Sequence, residues 1–341
     1  MNLRDFSFEL PEQLIAQFPP EVRGSSRLMV LDRSTGKRLH RQVTDLPALL
    51  EPGTLLVFNN SKVRKARVVG VSTPGARPVE FLLLKPLAQD NRTWLTMSKR
   101  SKRRPVGSRY VFEDGREGEI TGEAGAYRLL SFEPPVDEGW FERYGQVPLP
   151  PYIRREAGSL DQERYQTVYA KPIGSVAAPT AGLHITRELL AVLARQGIDW
   201  VFITLHVGLG TFLPVRTERI EEHHMHEEVF TIDAESARRI TQAKAEGRKI
   251  LAVGTTSVRT LESAWKQGSI EPGTGSTALF IYPGYTFKVA DALFTNFHTP
   301  ESSLLMLVCA FAGRESLLAA YREAVHAGYR FYSYGDAMLI S

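Results

Sequence analysis

What most constrains this fold is a change of periodicity part-way along the chain. From Val63 to about Val147 there is no helical repeat. Short alternating runs appear instead: ARVVGVS, VEFLLLK, TWLTM, SRYVFED, EGEITGE and YRLLSFE, separated by Gly, Pro, Asp and Asn. Alternation over five to eight residues between turn formers is the pattern of a small antiparallel barrel or sandwich. The flanks read differently. Before Asn60 the chain mixes a short helix, Leu10 to Gln17, with strands RLMVLD and TLLVFN. After PLPPYIRR the grammar is strand, then helix, to the end, as in α/β folds. DWVFITLHV is a strand. Leu189, Leu190 and Leu193 mark a helix face, and Gly197 its stop. KILAVG leads into the helix TTSVRTLESAWKQ, stopped by Gly268. Thr299 and Pro300 read as N-cap and first helical residue of a buried helix ending near Gly313. The expectation is a discontinuous α/β domain, residues 1–62 and 149–341, into which a small antiparallel β-barrel domain, residues 63–148, is inserted.

Length agrees, since 341 residues exceed the usual single domain. With 43% hydrophobic and 23% charged residues, the chain has the composition of a soluble globular protein. Its formal net charge of +4 is compatible with a polyanionic partner without singling one out. A single cysteine, Cys309, excludes an intrachain disulfide and sits in an apolar run as a small core residue. The charged N-terminus is not a signal peptide, and no apolar run reaches membrane-spanning length, so a cytoplasmic location is expected.

Several stretches carry chemistry-bearing residues. SVAAPTAGLHIT places small residues, Thr180, Gly182 and His184 directly before an amphipathic run, which suits close approach of backbone and an imidazole to a ligand. In TLHVGLGTFLPV, His206 ends a strand and Gly208 and Gly210 follow, at the strand end where open α/β sheets bind ligands. A dinucleotide fingerprint fails there, because the third glycine is missing and Pro214 stands where a helix would begin. His206 as a satisfied core histidine remains open. GTTSVRTLES brings Thr255, Thr256 and Ser257 to a helix start, whose amides favour an anion, with the Arg259 cation close by. The alternative is a plain Thr256 cap and a solvated Arg259. EEHHMHEE holds His223 and His226 among carboxylates. It reads as a polar active-site wall, an exposed charged turn or two of the ligands a metal needs. TNFHTPESS places Asn296 and His298 at another strand end, or uses them in capping. YRFYSYGDAM reads as an aromatic final strand.

Two basic runs stand out. KVRKAR contains Lys62, Arg64, Lys65 and Arg67. SKRSKRRPVGSR contains Lys99, Arg100, Lys102, Arg103, Arg104 and Arg109 within the all-β segment. Clustered cations on a β-domain suit phosphate contacts, and equally a solvated hairpin face.

Taken together, SVAAPTAGLHIT, LHVGLGTFLPV, EEHHMHEE, VGTTSVRTLES, TNFHTPESSLLMLV, AFAGRE and YRFYSYGDAMLI, with ELPEQLIAQFPP and SRLMVLDR, closely resemble the S-adenosylmethionine:tRNA ribosyltransferase-isomerase family of queuosine biosynthesis. The resemblance covers nearly the whole chain, with only general character matching in the β-insert. It implies an α/β part with an inserted β-barrel. It also implies a reaction in which the ribosyl part of S-adenosylmethionine moves onto the aminomethyl group of a 7-deazaguanine in the tRNA anticodon. Isomerisation then gives epoxyqueuosine, and adenine and methionine leave. The sulfonium compound is consumed as a pentose donor, and no metal is implied.

That chemistry needs a base near neutral pKa beside the acidified C5′, an acid for departing adenine, an anion site for the methionine carboxylate, and dispersed cations for RNA. The expected catalytic residues are His184, His206, His226 and His298. The expected donor-binding residues are Thr180, Gly182, Gly208, Gly210, Thr255, Thr256, Ser257, Arg259 and Asn296. Lys62, Arg64, Lys99, Arg100, Arg103 and Arg104 are expected on the tRNA, and the working unit is expected to be a monomer. One departure stands out: NNSKV has Asn60 where the family commonly has Asp, and Asn60 is read as positioning a loop. Two rivals remain. A methyltransferase would use the same donor, but the chain lacks its usual Gly-rich strand–helix loop. A non-catalytic RNA-binding protein would leave the strand-end histidines without a purpose.

Overall fold

In the computed structural model, residues 1–208, 210 and 215–341 are described here. The strands in chain order are β1 Arg27–Leu31, β2 Arg38–Gln42, β3 Leu55–Asn59, β4 Lys62–Val63, β5 Arg67–Thr73, β6 Pro78–Pro86, β7 Thr93–Ser98, β8 Arg109–Val111, β9 Glu117–Ala124, β10 Tyr127–Glu133, β11 Ile173–Ser175, β12 Asp199–Leu205, β13 Glu228–Ile232, β14 Ile250–Val253, β15 Trp265–Lys266, β16 Ser269–Ile270, β17 Gly273–Thr277, β18 Ala292–Asn296 and β19 Ala337–Ile340.

Nine of them form one mixed sheet in the order β17-β13-β12-β3-β14-β18-β19-β1-β2. At its centre β12, β3, β14 and β18 run parallel. Both faces of these strands are buried, which explains their near-continuous apolar runs. Leu55 and Val57 of β3 join a core with Val201, Ile203, Ile250, Ala252 and the helices Ala234–Ala245, Thr255–Ala264, Ser303–Ala312 and Arg314–His326. Leu56 and Phe58 face the other way, onto Leu251, Val253, Phe294 and the helix Arg187–Arg195 through Leu189 and Leu193.

Six strands, β10-β7-β6-β5-β8-β9, close into an antiparallel barrel. They are the six alternating runs read from sequence. Their inward residues, among them Val68, Phe81, Leu83, Trp94, Phe112, Ile120, Leu130 and Phe132, fill it, and Trp140 and Phe141 of the helix Glu138–Tyr144 plug one side. The barrel is inserted between β3 and β12 of the large sheet, so the fold is an interrupted α/β domain carrying a small barrel.

Local boundaries differ from the sequence reading in five places. Leu10 to Gln17 holds only a short 3-10 turn, Glu12–Leu14, because it is pinned by Ile15 and Ala16 against Phe331 rather than packed as a helix. Gly268 does not stop a helix. That helix ends at Ala264, and Gln267-Gly268, both at positive φ, turn the hairpin β15–β16. The next helix is capped by Ser302, whose Oγ accepts from the Leu305 amide at 3.2 Å, and not by Thr299. Gly254, at φ 91°, takes the N-cap position before Thr255 in place of Thr256. Finally, Tyr329 to Gly335 is not a strand; Asp336 ties it into a turn by accepting from the Arg27 and Arg330 amides at 2.9 and 2.8 Å. No single helix among the described residues is long and apolar enough to cross a membrane.

Candidate active site

The parallel strands deliver their carboxyl ends to one place, the position at which open α/β sheets bind ligands. There lies a cavity of about 330 Å³. Its wall comes from Ala178 to Ala181 beyond β11, Val207 beyond β12, Gly254 to Thr256 beyond β14, the end of β18 and the residues after it from Thr295 to Leu304 apart from Ser303, and Tyr152, Tyr332 and Ser333.

Asn59 holds these ends together. Its Nδ2 donates to the Leu205 carbonyl at 3.0 Å and to Thr256 Oγ1 at 3.3 Å, while its Oδ1 accepts from the Ser61 and Leu205 amides, both at 3.1 Å. A buried amide with every capacity used joins three segments, and its removal would leave several groups unpaired. Next door, Asn60 accepts from Thr204 Oγ1 at 2.7 Å and does not line the cavity.

Of the four histidines expected to be catalytic, one reaches the cavity wall. His298 is 6% exposed, its Nε2 is 2.9 Å from Thr295 Oγ1, and burial pushes its pKa down to about 3. His184 lies behind the wall. Its Nε2 accepts from Asn296 Nδ2 at 3.0 Å, its ring stands edge-on to Phe294, and burial, followed by the Arg330 and Arg23 charges, holds it neutral with a pKa of about 3. His206 packs its ring on Gly174, where a Cβ would stand only 2.7 Å away. Burial and then the Arg64 charge lower its pKa, and its Nδ1 is buried without a partner. His226 is exposed and packs against Gly210, and nearby His223 stands edge-on to Phe280.

The donor-binding set divides in the same way. Thr180, Thr255, Thr256 and Asn296 line the cavity. Gly182 is a packing glycine, since a Cβ there would meet Tyr169 Oη at 2.2 Å. Ser257 Oγ bonds back to the Val253 carbonyl at 2.8 Å. Gly208 gives its amide to Glu228 Oε1 at 2.8 Å. Arg259 is buried against that same carboxylate, with its Nε on the Leu279 carbonyl at 3.1 Å, and is not on the cavity wall. Leu209 and Thr211 to Pro214, including the proline used against a dinucleotide loop, lie outside the described residues.

Asn296 is the most informative side chain on the wall. It is 1% exposed and donates to His184 and to the Tyr332 carbonyl, which fixes the amide orientation, yet its Oδ1 has no partner. A buried acceptor left unmatched at a cavity marks a place for a ligand donor. Two wall residues missed from sequence, Glu301 at φ 56° and Tyr332 at φ 73°, occupy the left-handed region. For non-glycine residues this costs on the order of 1 kcal/mol each and concentrates at functional sites. Tyr152 and Ser333, also missed, line the cavity and share a 2.5 Å hydroxyl contact. The one signal that could have found Glu301 is its place in the TNFHTPESS stretch, three residues after His298.

The two basic runs part company. Arg64 pairs with Glu138 and stands over the Trp94 and Phe141 rings, Lys65 pairs with Glu142 at 3.0 Å, Lys62 stands 3.9 Å from the same carboxylate, and Arg67 pairs with Glu80. Lys99, Arg100, Lys102 and Arg103, in the loop from β7 to β8, are exposed with no ion pair among the described residues. Arg104 turns back to Ser98 Oγ at 3.2 Å and the Lys99 carbonyl at 3.1 Å.

A family model described as queuosine biosynthesis protein matches residues 3–340. The chain belongs to the S-adenosylmethionine:tRNA ribosyltransferase-isomerase family of queuosine biosynthesis. It is therefore an enzyme of the transferase–isomerase type. Proteins named S-adenosylmethionine:tRNA ribosyltransferase-isomerase from Treponema denticola and Carboxydothermus hydrogenoformans are 52% and 51% identical, each alignment covering 100% of both chains. A crystal structure of S-adenosylmethionine tRNA ribosyltransferase from Thermotoga maritima is 37% identical with a TM-score of 0.58, covering 99% of this chain and 100% of that one.

Proposed function

We propose that this enzyme, working as a monomer in the cytoplasm, transfers the ribosyl moiety of S-adenosylmethionine to the aminomethyl group of a 7-deazaguanine in the tRNA anticodon. It isomerises that ribose to the epoxycyclopentane of epoxyqueuosine and releases adenine and methionine, with no metal required. The observation that carries the reading is the buried, unpartnered Asn296 Oδ1 at a strand-end cavity, in a chain of this family.

The cavity supplies what the donor needs. The first amides of the helix Thr255–Ala264 have no preceding turn to bond to, and they face a carboxylate such as that of the methionyl part. Asn296 Oδ1 accepts from a hydroxyl or amine of the donor. His184, through its bond to Asn296 Nδ2, fixes which end of that amide is left for the donor and so acts as a positioning residue. His298 is the one imidazole on the cavity wall among the described residues; burial makes it a weak base, and it takes the proton only as the negative charge developing at the carbon beside the sulfonium raises its basicity. Lys99, Arg100 and Arg103 supply uncompensated charge for the tRNA phosphates.

The test is product analysis. Purified protein, S-adenosylmethionine and tRNA carrying the aminomethyl-deazaguanine should yield free adenine and methionine, and only with that tRNA. Release of S-adenosylhomocysteine instead would mean methyl transfer and overturn the proposal.

A further inference from the structure

Among the described residues, Glu301 is the only carboxylate on the cavity wall, and no lysine or arginine lines it. The one imidazole there, His298, is neutral. The wall thus carries a single negative charge. The Glu301 carboxylate is half-buried and makes no hydrogen bond or ion pair among the described residues. Its backbone is held at φ 56°, with its amide on the Phe6 carbonyl at 3.1 Å. Glycine would adopt that conformation without strain, so the side chain is kept against a backbone preference. S-adenosylmethionine has two cationic groups and one anionic group, net +1. The thioether left when it loses its methyl group has the same outline and no net charge.

We propose that Glu301 is the counter-charge to the sulfonium, and that it is what makes this site select a sulfonium donor over the neutral thioether of the same shape. This rests on the reading of the cavity as the S-adenosylmethionine site. The division of labour is electrostatic. The helix start at Thr255 takes the carboxylate end, Asn296 takes a neutral donor group, and Glu301 faces the positive centre whose charge labilises the adjacent C5′ hydrogens.

The experiment measures the affinities of S-adenosylmethionine and S-adenosylhomocysteine, by calorimetry, for the wild type, Glu301→Gln and Glu301→Gly. The wild type should prefer the sulfonium by roughly tenfold or more, about the gain from one favourable charge pairing at partial exposure. Both variants should bring the ratio near one, mainly by weakening S-adenosylmethionine. Glu301→Gly also relieves the positive φ, so its melting temperature should not fall, and lost selectivity cannot then be ascribed to unfolding. Equal weakening of both ligands would place the ammonium, common to both, at Glu301 and overturn the proposal, as would an unchanged ratio. Failure of the wild type to bind either ligand would instead remove the reading of the cavity on which the proposal rests.

Discussion

The strand-end cavity and the barrel loop treat charge in opposite ways. Behind the cavity a cation is matched and buried: Arg259 is neutralised by Glu228 with both side chains under 5% exposed, and among the described residues the wall itself holds one carboxylate, one neutral imidazole and no lysine or arginine. In the β7–β8 loop four cations are exposed with no ion pair among the described residues. The first arrangement suits a small cationic donor recognised at short range. The second suits a polyanion recognised at long range and through salt-dependent contacts. Similar sequence does not mean similar use. KVRKAR and SKRSKRR are equally basic as text, yet the first is committed to the carboxylates of the helix Glu138–Tyr144 and of β6 and fastens the barrel, while the second stays open.

The largest effect is expected from Arg259→Met. Removing the cation that neutralises the buried Glu228 should destabilise the fold by roughly 3–5 kcal/mol, read as a lowered denaturation midpoint, with donor affinity of the remaining folded protein unchanged. Lost donor affinity at full stability would instead put the guanidinium on the donor carboxylate. Next comes Asn296→Leu, which removes the unpartnered acceptor and both bonds of its Nδ2. Adenine release should fall about a hundredfold, equivalent to roughly 2.7 kcal/mol, and lowering the ionic strength should not restore it. Turnover that recovers in low salt would erase the contrast between the two regions.

The loop variant with Lys99, Arg100, Lys102 and Arg103 all changed to Gln should behave in the opposite way. RNA affinity should drop, and the slope of log affinity against log salt should shrink by about 2–3, from roughly 0.7 per phosphate contact on single-stranded RNA. S-adenosylmethionine affinity should be unchanged. Lys65→Gln, on the committed run, should alter RNA affinity little and stability by less than about 1 kcal/mol. Equal RNA losses from both would show that the ion pairs do not decide availability.

A further effect is on pH dependence, and at neutral pH it vanishes. His184 and His298 have folded pKa values of about 3 against 6.5 for an ordinary imidazole, through burial. Below pH 6.5 the unfolded chain therefore takes up protons that the folded chain refuses, and stability falls as pH drops toward 3. Each histidine contributes a slope of about 1.4 kcal/mol per pH unit once well below 6.5. His184→Gln, which keeps an acceptor for Asn296, should remove its share between pH 6 and 4. An unaltered slope would mean His184 is not held neutral.

The architecture was largely legible because it rests on periodicity: two-residue alternation for the six barrel strands, and apolar runs bounded by glycine for β3, β12, β14 and β18. Errors arose where tertiary contacts override local signals. Leu10 to Gln17 has a helical pattern but is drawn straight against Phe331. Tyr329 to Gly335 alternates like a strand but is folded into a turn by Asp336. The site was half legible. Strand-end position pointed to Thr180, Thr255, Thr256, Asn296 and His298, and these line one cavity. It could not say which way a side chain turns, and that separates Val207 on the wall from His206 on Gly174. Nor could it foresee that Arg259 would meet Glu228, 31 residues away in sequence. Glu301 and Tyr332 escaped because positive φ at a non-glycine residue leaves no mark in composition.

The most direct test of the central claim is a double-label transfer. S-adenosylmethionine carrying one isotope in its ribose and another in its methyl group would be incubated with the enzyme and the aminomethyl-deazaguanine tRNA, and the RNA counted for both. Ribose label in the RNA with the methyl label left in methionine is the expected result. Methyl label in the RNA, or neither label, would contradict it.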